Sequence, residues 1–324
     1  MGCLFSRGRK KSSEKPKVPI SYSEKRTGLD KRSRKKEIND KKSLLPEVVN
    51  KDKIHQIRIS KYDWKCNGLS NNNNNCYFNS VMQVLAHFQG ISEKINISPI
   101  GKLLNLMVTK EGGKNAYLHQ TLLSTLEWLD RNSEFKLNFQ HDPKELLNYI
   151  LRELPIIASQ FKWKRVVQFV HNSKGHVNTM PEQSFLYFQI SPKNNKISLN
   201  DLKVSFMTLV LCEEDVVGYC NECNSDCTGS ERILSSFDGN YAIFNTYSMQ
   251  ADCRLDEIEY FNFGKYQFQL ESIIIRQGKN SMSGHNFTIC RESKLVIYND
   301  EHIEVCSEYN IHGVYMLFYK VIYH

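Results

Sequence analysis

The chain is 324 residues long, 40% hydrophobic and 24% charged, with a formal net charge of +8 at pH 7. That length can bury a full core and the composition is that of a globular protein, which excludes a wholly disordered or fibrous chain. Residues 1–60 hold 18 of the 43 Lys and Arg and 7 of the 35 Asp and Glu, a local +11, while the remainder carries −3, so the basic character belongs to the tail.

The chain starts MGCLFSRGRKKSS. Gly2 after Met1, with Ser6 at the matching offset, fits the N-myristoylation pattern, and Cys3 is placed for a second acyl chain. One acyl chain binds membrane only marginally, so Cys3 and the Arg7, Arg9, Lys10, Lys11 cluster supply the second signal toward an anionic lipid surface. The block DKRSRKKEINDKK at 30–42 has almost nothing apolar to bury and reads as a solvated tether. It has no interleaved aromatics to stack bases, so no nucleic-acid partner is expected. Order is expected to begin near Ile54 to Trp64. The ten cysteines are irregularly spaced with no cleavable secretory leader, which points to free thiols in a reducing, cytoplasmic setting. Apolar runs such as LLNLMV are too short to span a bilayer.

Residues 68–81 read GLSNNNNNCYFNSV. Behind Cys76, Val81, Val84 or Leu85, and Phe88 recur at helical spacing and Gly90 supplies a stop, so Cys76 is expected at a helix N-terminus. A thiolate there is favoured by the helix dipole and by backbone N–H groups. Asparagine tolerates left-handed backbone and its amide can donate to an oxyanion, so the run can wall a site; it can equally be a polar loop before a core helix. The wording resembles the cysteine box of the ubiquitin-specific proteases, Gly-Leu-x-Asn-Leu-Gly-Asn-Thr-Cys-Tyr-x-Asn-Ser. Gly68, Leu69, Asn71, Asn74, Cys76, Tyr77, Asn79, Ser80 and Gln83 match, whereas Asn73 stands at the glycine and Asn75 at the threonine. The resemblance implies that Cys76 is the nucleophile and Asn71 the oxyanion donor.

QHDPKELLNYILREL at 140–154 reads as a helix with Asp142 as N-cap, Pro143 at N1 and Glu145 at N3, its apolar face formed by Leu146, Leu147, Ile150, Leu151 and Leu154. It is similar to the family's Gln-Gln-Asp-Ala-x-Glu-Phe-Leu segment, and Asp142 and Glu145 are taken as structural. Toward the end, residues 266–305 read as a strand, a loop with Gly278 and Gly284, then strands and turns. A nucleophilic thiol needs a base and the base an orienting group, and His285 precedes Asn299-Asp300 by 14 residues. The region resembles the family's Gly-His-Tyr followed by Phe-Asp/Asn-Asp-x-x-Val. On that likeness His285 is the general base and Asn299 orients it, with Asp300 as the neighbouring substitute.

Two departures fall around the substrate channel: Asn286 replaces the aromatic beside the base, and Arg276 replaces the upstream histidine. The family's finger zinc site is half present, as Cys220 and Cys223, with His171 and Lys174 at the other two places. No cofactor is expected, with a structural zinc at Cys220 and Cys223, completed by Cys227, Cys212, His171 or His176, as the alternative.

The resemblance implies a papain-like α+β cysteine protease fold over 61–324, after a disordered tail at 1–60. It divides into a helical thumb at 66–165, β-rich fingers at 166–260 and a β-palm at 261–324. It further implies a deubiquitinase hydrolysing the bond after the C-terminal glycine of ubiquitin, with ubiquitin or ubiquitinated proteins as partners. The competing readings are a ubiquitin-binding scaffold without turnover and a protease of the same fold acting on another modifier.

Overall fold

The computed structural model describes residues 66–88, 98–109, 115–210, 213–237, 239–246, 251–280 and 283–323. The chain divides into two units, Met1–Ser60 and Lys61–His324, and every described residue belongs to the second. The expectations for Gly2, Cys3, the basic blocks, the start of order at Ile54 to Trp64, Gly90 and Cys212 lie outside the described residues.

The chain opens with a helical layer: α1 (Cys76–His87), α2 (Pro99–Val108), α3 (Asn115–Asn132), α4 (Pro143–Glu153) and the short α5 (Pro155–Ala158). All twelve residues of α1 are buried, so it runs through the interior rather than along a surface. The starts of α2 and α4 are written in their sequences. Ser98 accepts from Gly101 N at 3.0 Å ahead of Pro99, and Asp142 accepts from Lys144 N at 2.7 Å ahead of Pro143. Among the described residues no helix is long and apolar enough to cross a membrane.

The rest is mostly strand: β1 (Trp163–His171), β2 (Val177–Thr179), β3 (Gln183–Phe185), β4 (Tyr187–Ile190), β5 (Lys196–Ile197), α6 (Leu199–Val210), β6 (Glu213–Cys220), β7 (Ser225–Phe237), β8 (Tyr241–Thr246) and β9 (Ala251–Arg254). Then follow α7 (Leu255–Ile258), β10 (Tyr260–Phe263), β11 (Tyr266–Asn280), β12 (Ser283–Arg291), β13 (Leu295–Asn299), β14 (His302–Val305) and β15 (Asn310–Tyr323). A five-stranded sheet runs β2-β1-β7-β6, with β3 also on β1. A ten-stranded sheet runs β14-β13-β12-β11-β15-β8-β4, with β10, β9 and β5 attached at its sides.

Side chains alternate across the large sheet and build two cores. Ile274, Cys290, Val296, Tyr298, Met316 and Phe318 face the helices. Ile273, Ile275, Ile289, Leu317 and Tyr319 face α6, Trp163 and Phe237 on the other side. Between 266 and 305 the structure differs from the sequence reading at one place. Gly278 and Gly284 lie inside the paired strands β11 and β12 and not in an open loop. Gly278 takes φ 149 in the bulge between Gln277 and Asn280, which lets the hairpin continue beyond it.

Candidate active site

The asparagine run folds on itself ahead of α1. Asn71 Oδ1 accepts from Asn75 N at 2.9 Å. Asn75 gives its amide to Ser70 O and to Asn79 Oδ1, both at 2.9 Å. Asn74 takes φ 56 and donates to Asn138 O at 3.0 Å. The left-handed residue is thus Asn74, one place after the position where the family's glycine stands. Asparagine holds this conformation better than other residues with a Cβ. The result is Cys76 as the first residue of α1, with its side chain buried.

Three side chains reach the sulfur. Gln140, just ahead of α4, has its amide at 3.5 Å (Nε2) and 3.7 Å (Oε1). Asn286 on β12 points Nδ2 at it from 3.7 Å. The imidazole of His285, also on β12, acts on the sulfur as well and favours its charged form. Nε2 of His285 meets Asn299 Oδ1 at 2.5 Å, which leaves Nδ1 for the thiol. Burial pushes the Cys76 thiol up, but the bonds from His285, Gln140 and Asn286 outweigh it and the net is below the ordinary thiol value. The bond to Cys76 pushes His285 up to about 9, with burial opposing and Asn299, the sulfur's charge and Asp300 adding to the rise.

Of the residues singled out in sequence, Cys76, His285 and Asn299 converge. Asp300 stands one step further away, its Oδ2 3.9 Å from His285 Nε2. It takes φ 55 in the tight turn between β13 and β14, and its carboxylate accepts from Asn71 Nδ2 at 2.9 Å and Asn79 Nδ2 at 2.7 Å. Asn71 therefore has one amide hydrogen committed to Asp300 and a second left to give. Leu69 N donates to Asp300 O at 3.0 Å, so the loop ahead of the thiol and the turn behind the base form one unit. Sequence reasoning did not place Gln140 or Asn286 against the thiol. Asn286 is a lost aromatic in the sequence reading, and its contact with Cys76 shows that it faces α1.

A family profile described as Ubiquitin carboxyl-terminal hydrolase matches residues 67–319. The chain belongs to the ubiquitin carboxyl-terminal hydrolase family. Among solved structures it is similar to the SAGA Ubp8/Sgf11/Sus1/Sgf73 DUB module bound to ubiquitin aldehyde, at 16% identity and TM-score 0.60. A second similar structure is that module with a variant Ubp8, bound to monoubiquitin, at 17% identity and TM-score 0.60. Each match covers 79% of this chain and 69% of the other. Likeness at that identity speaks for the fold, and the fold is the papain-like α+β arrangement expected from the sequence. No curated protein matched the chain.

This family member also carries a Cys/His cluster at the far end of its small sheet. His171 ends β1, His176 follows the turn, Cys220 ends β6, and Cys223 lies in the β6–β7 connection; their donor atoms all lie within 4.8 Å of one another. Cys223 Sγ is 3.6 Å from His171 Nδ1 and 3.4 Å from His176 Nδ1, and Cys220 Sγ is 3.6 Å from His176 Nδ1. A tetrahedral zinc with ordinary Zn–S and Zn–N bonds puts such atoms about 3.6 Å apart. The remaining ring nitrogens are held too, His171 Nε2 by Ser173 Oγ at 3.2 Å and His176 Nε2 by Glu222 at 3.3 Å. Outer partners of this kind fix histidines for a metal. The donor set is compatible with a zinc site. Of the partners the sequence offers for Cys220 and Cys223, the structure brings His171 and His176 to them.

Proposed function

We propose that this chain is a cysteine hydrolase that cleaves the peptide or isopeptide bond after the C-terminal glycine of ubiquitin. The observation that carries the reading is the meeting of Cys76 with His285, whose ring is held by Asn299 at 2.5 Å, from the two ends of a fold whose family acts on ubiquitin carboxyl termini. Ubiquitin in the two similar solved structures supports the choice of substrate.

His285 takes the thiol proton and Asn299 holds the ring so that it points at the sulfur. The thiolate attacks the glycine carbonyl. The oxyanion is received by the free amide hydrogen of Asn71 and the backbone N–H groups at the start of α1, which lack intrahelical partners. The amine leaves with the proton from His285. Water, deprotonated by His285, then cleaves the thioester. Asp300 keeps Asn71 and the turn after Asn299 in place. In the small sheet, His171, His176, Cys220 and Cys223 would hold a zinc ion in a structural role, tying β1 to the β6–β7 hairpin.

A ubiquitin-binding scaffold without turnover predicts a thiol that titrates as in a free peptide. The lowered Cys76 thiol beside a raised His285 favours the enzyme. With a ubiquitin carrying an electrophile at its C-terminus, the wild-type chain is expected to form a covalent adduct that Cys76→Ser abolishes. Labelling retained in that variant refutes the assignment, and labelling by another modifier in place of ubiquitin moves the substrate to that modifier.

A further inference from the structure

The even-numbered side chains of β12 turn toward α1. Thr288 Oγ1 donates to Ser80 O at 3.0 Å, and Cys290 is buried in the helical core. Asn286 belongs to the same row and is 1% exposed. Its Nδ2 lies 3.7 Å from Cys76 Sγ, while its Oδ1 is buried with no hydrogen-bond partner among the described residues. Directly across the ladder is Arg276, whose guanidinium reaches Asp142 on the helical side at 3.2 Å.

A buried amide with one end unsatisfied lowers stability, and an apolar side chain of the same shape would remove that loss. A group kept at such a position is explained by what its other end does, and here the other end meets the reactive sulfur. The position is also the one where the family resemblance calls for an aromatic ring, which has no N–H to offer a thiolate.

We propose that Asn286 is a catalytic residue: its side-chain amide donates to the Cys76 sulfur and steadies the negative charge left there when the proton moves to His285. The step balances within the site. The S–H bond breaks, the proton goes to the imidazole, and the electron pair stays on a sulfur that faces an N–H donor. The inference rests on Cys76 being the reactive thiol of the proposed hydrolase.

The groups that also act on this sulfur are His285 on β12, with Asp300 behind it, Tyr77 on α1, and the backbone N–H of Asn286, which every side-chain variant keeps. Gln140 is neutral, and the Arg276–Asp142 pair lies beyond Asn286. The test is alkylation of Cys76 by iodoacetamide in the full chain, followed at that residue by mass spectrometry from about pH 5 to about pH 10, with Tm measured alongside. Asn286→Leu is expected to slow alkylation near neutral pH about tenfold, to leave the high-pH plateau unchanged, and to keep Tm equal or raise it. Asn286→Asp, equal in size but anionic, is expected to slow it further. If the leucine variant does not fold, Asn286→Ala is read in the same way. An unaltered pH profile in these variants overturns the proposal, and a fall in Tm with that unaltered profile makes Asn286 a packing residue. The readout uses no ubiquitin, so chains that alkylate as expected yet never react with the ubiquitin electrophile refute the hydrolase reading and leave Asn286 a donor to the Cys76 thiolate but not a catalytic residue.

Discussion

His285 keeps its proton up to about 9 because the bond to Cys76 favours the charged ring, and the Asn299 bond adds to it. A group raised in this way contributes stability that is fully present below its unfolded value of 6.5 and is lost as pH rises through about 9. Turnover follows the same limb, because the leaving amine needs the imidazolium proton. Activity should therefore rise with ionisation of the thiol below its ordinary range and fall near pH 9. Asn299→Ala removes one of the groups that hold the proton. It is expected to bring the alkaline limb of kcat/KM to lower pH and to reduce kcat/KM at neutral pH by roughly ten- to a hundredfold. A limb that stays in place would show that Asn299 does not act on the ring. Cys76, His285 and Asn299 were legible because each sits in a short stretch with its own pattern. The contacts of Gln140 and Asn286 with the sulfur were not, because they depend on α4 and β12 meeting across the interior, which no local spacing encodes.

The loop ahead of α1 and the turn between β13 and β14 meet backbone to backbone, and Gly68 is what lets them. A Cβ there would lie 2.7 Å from Asp300 O and 2.9 Å from Glu301 Cα, distances that only a shift of the main chain can relieve. Gly68→Ala is thus expected to push the two segments apart and weaken the Leu69 N to Asp300 O bond. The cost should be about 1–3 kcal/mol in a urea titration, with a drop in turnover, since Asn71 and Asp300 move with the displaced segments. Unchanged stability together with unchanged turnover would mean the loop accommodates the methyl, and that its contact with the turn does not position the site. Elements with local signatures were readable in advance: Asp142 and Pro143 opened α4, and the apolar spacing behind Cys76 opened α1. The stretch around Gly278 and Gly284 was misread, because glycine marks a bulge and a loop alike.

At the scale of the whole unit, the two sheets take their strands out of order. The small sheet uses 163–185 and 213–237, while β4, β5, β8 and β9, from within the stretch read as fingers, pair in the large sheet. That interleaving was invisible in sequence, because the partners lie far apart along the chain and similar apolar strands fit either sheet. The cluster of His171, His176, Cys220 and Cys223 sits where this matters, at the end of a sheet whose strands come from two separated segments. A metal there would cross-link β1 and its turn to the β6–β7 hairpin, so the binding free energy becomes folding free energy of the small sheet. Purified chain should contain zinc in stoichiometric amount, and its removal by a chelator should lower Tm by roughly 5–10 °C. Cys223→Ser should lose the metal, and Glu222→Gln, which keeps all four donors and weakens only the hold on the His176 ring, should lower zinc affinity about tenfold. Alkylation of Cys76 well below the new Tm should persist in both variants, because the cluster supports the small sheet and makes no contact with the thiol. A chain that purifies without zinc, and whose Tm does not rise when zinc is added, would show that the four donors are held together by the sheet alone.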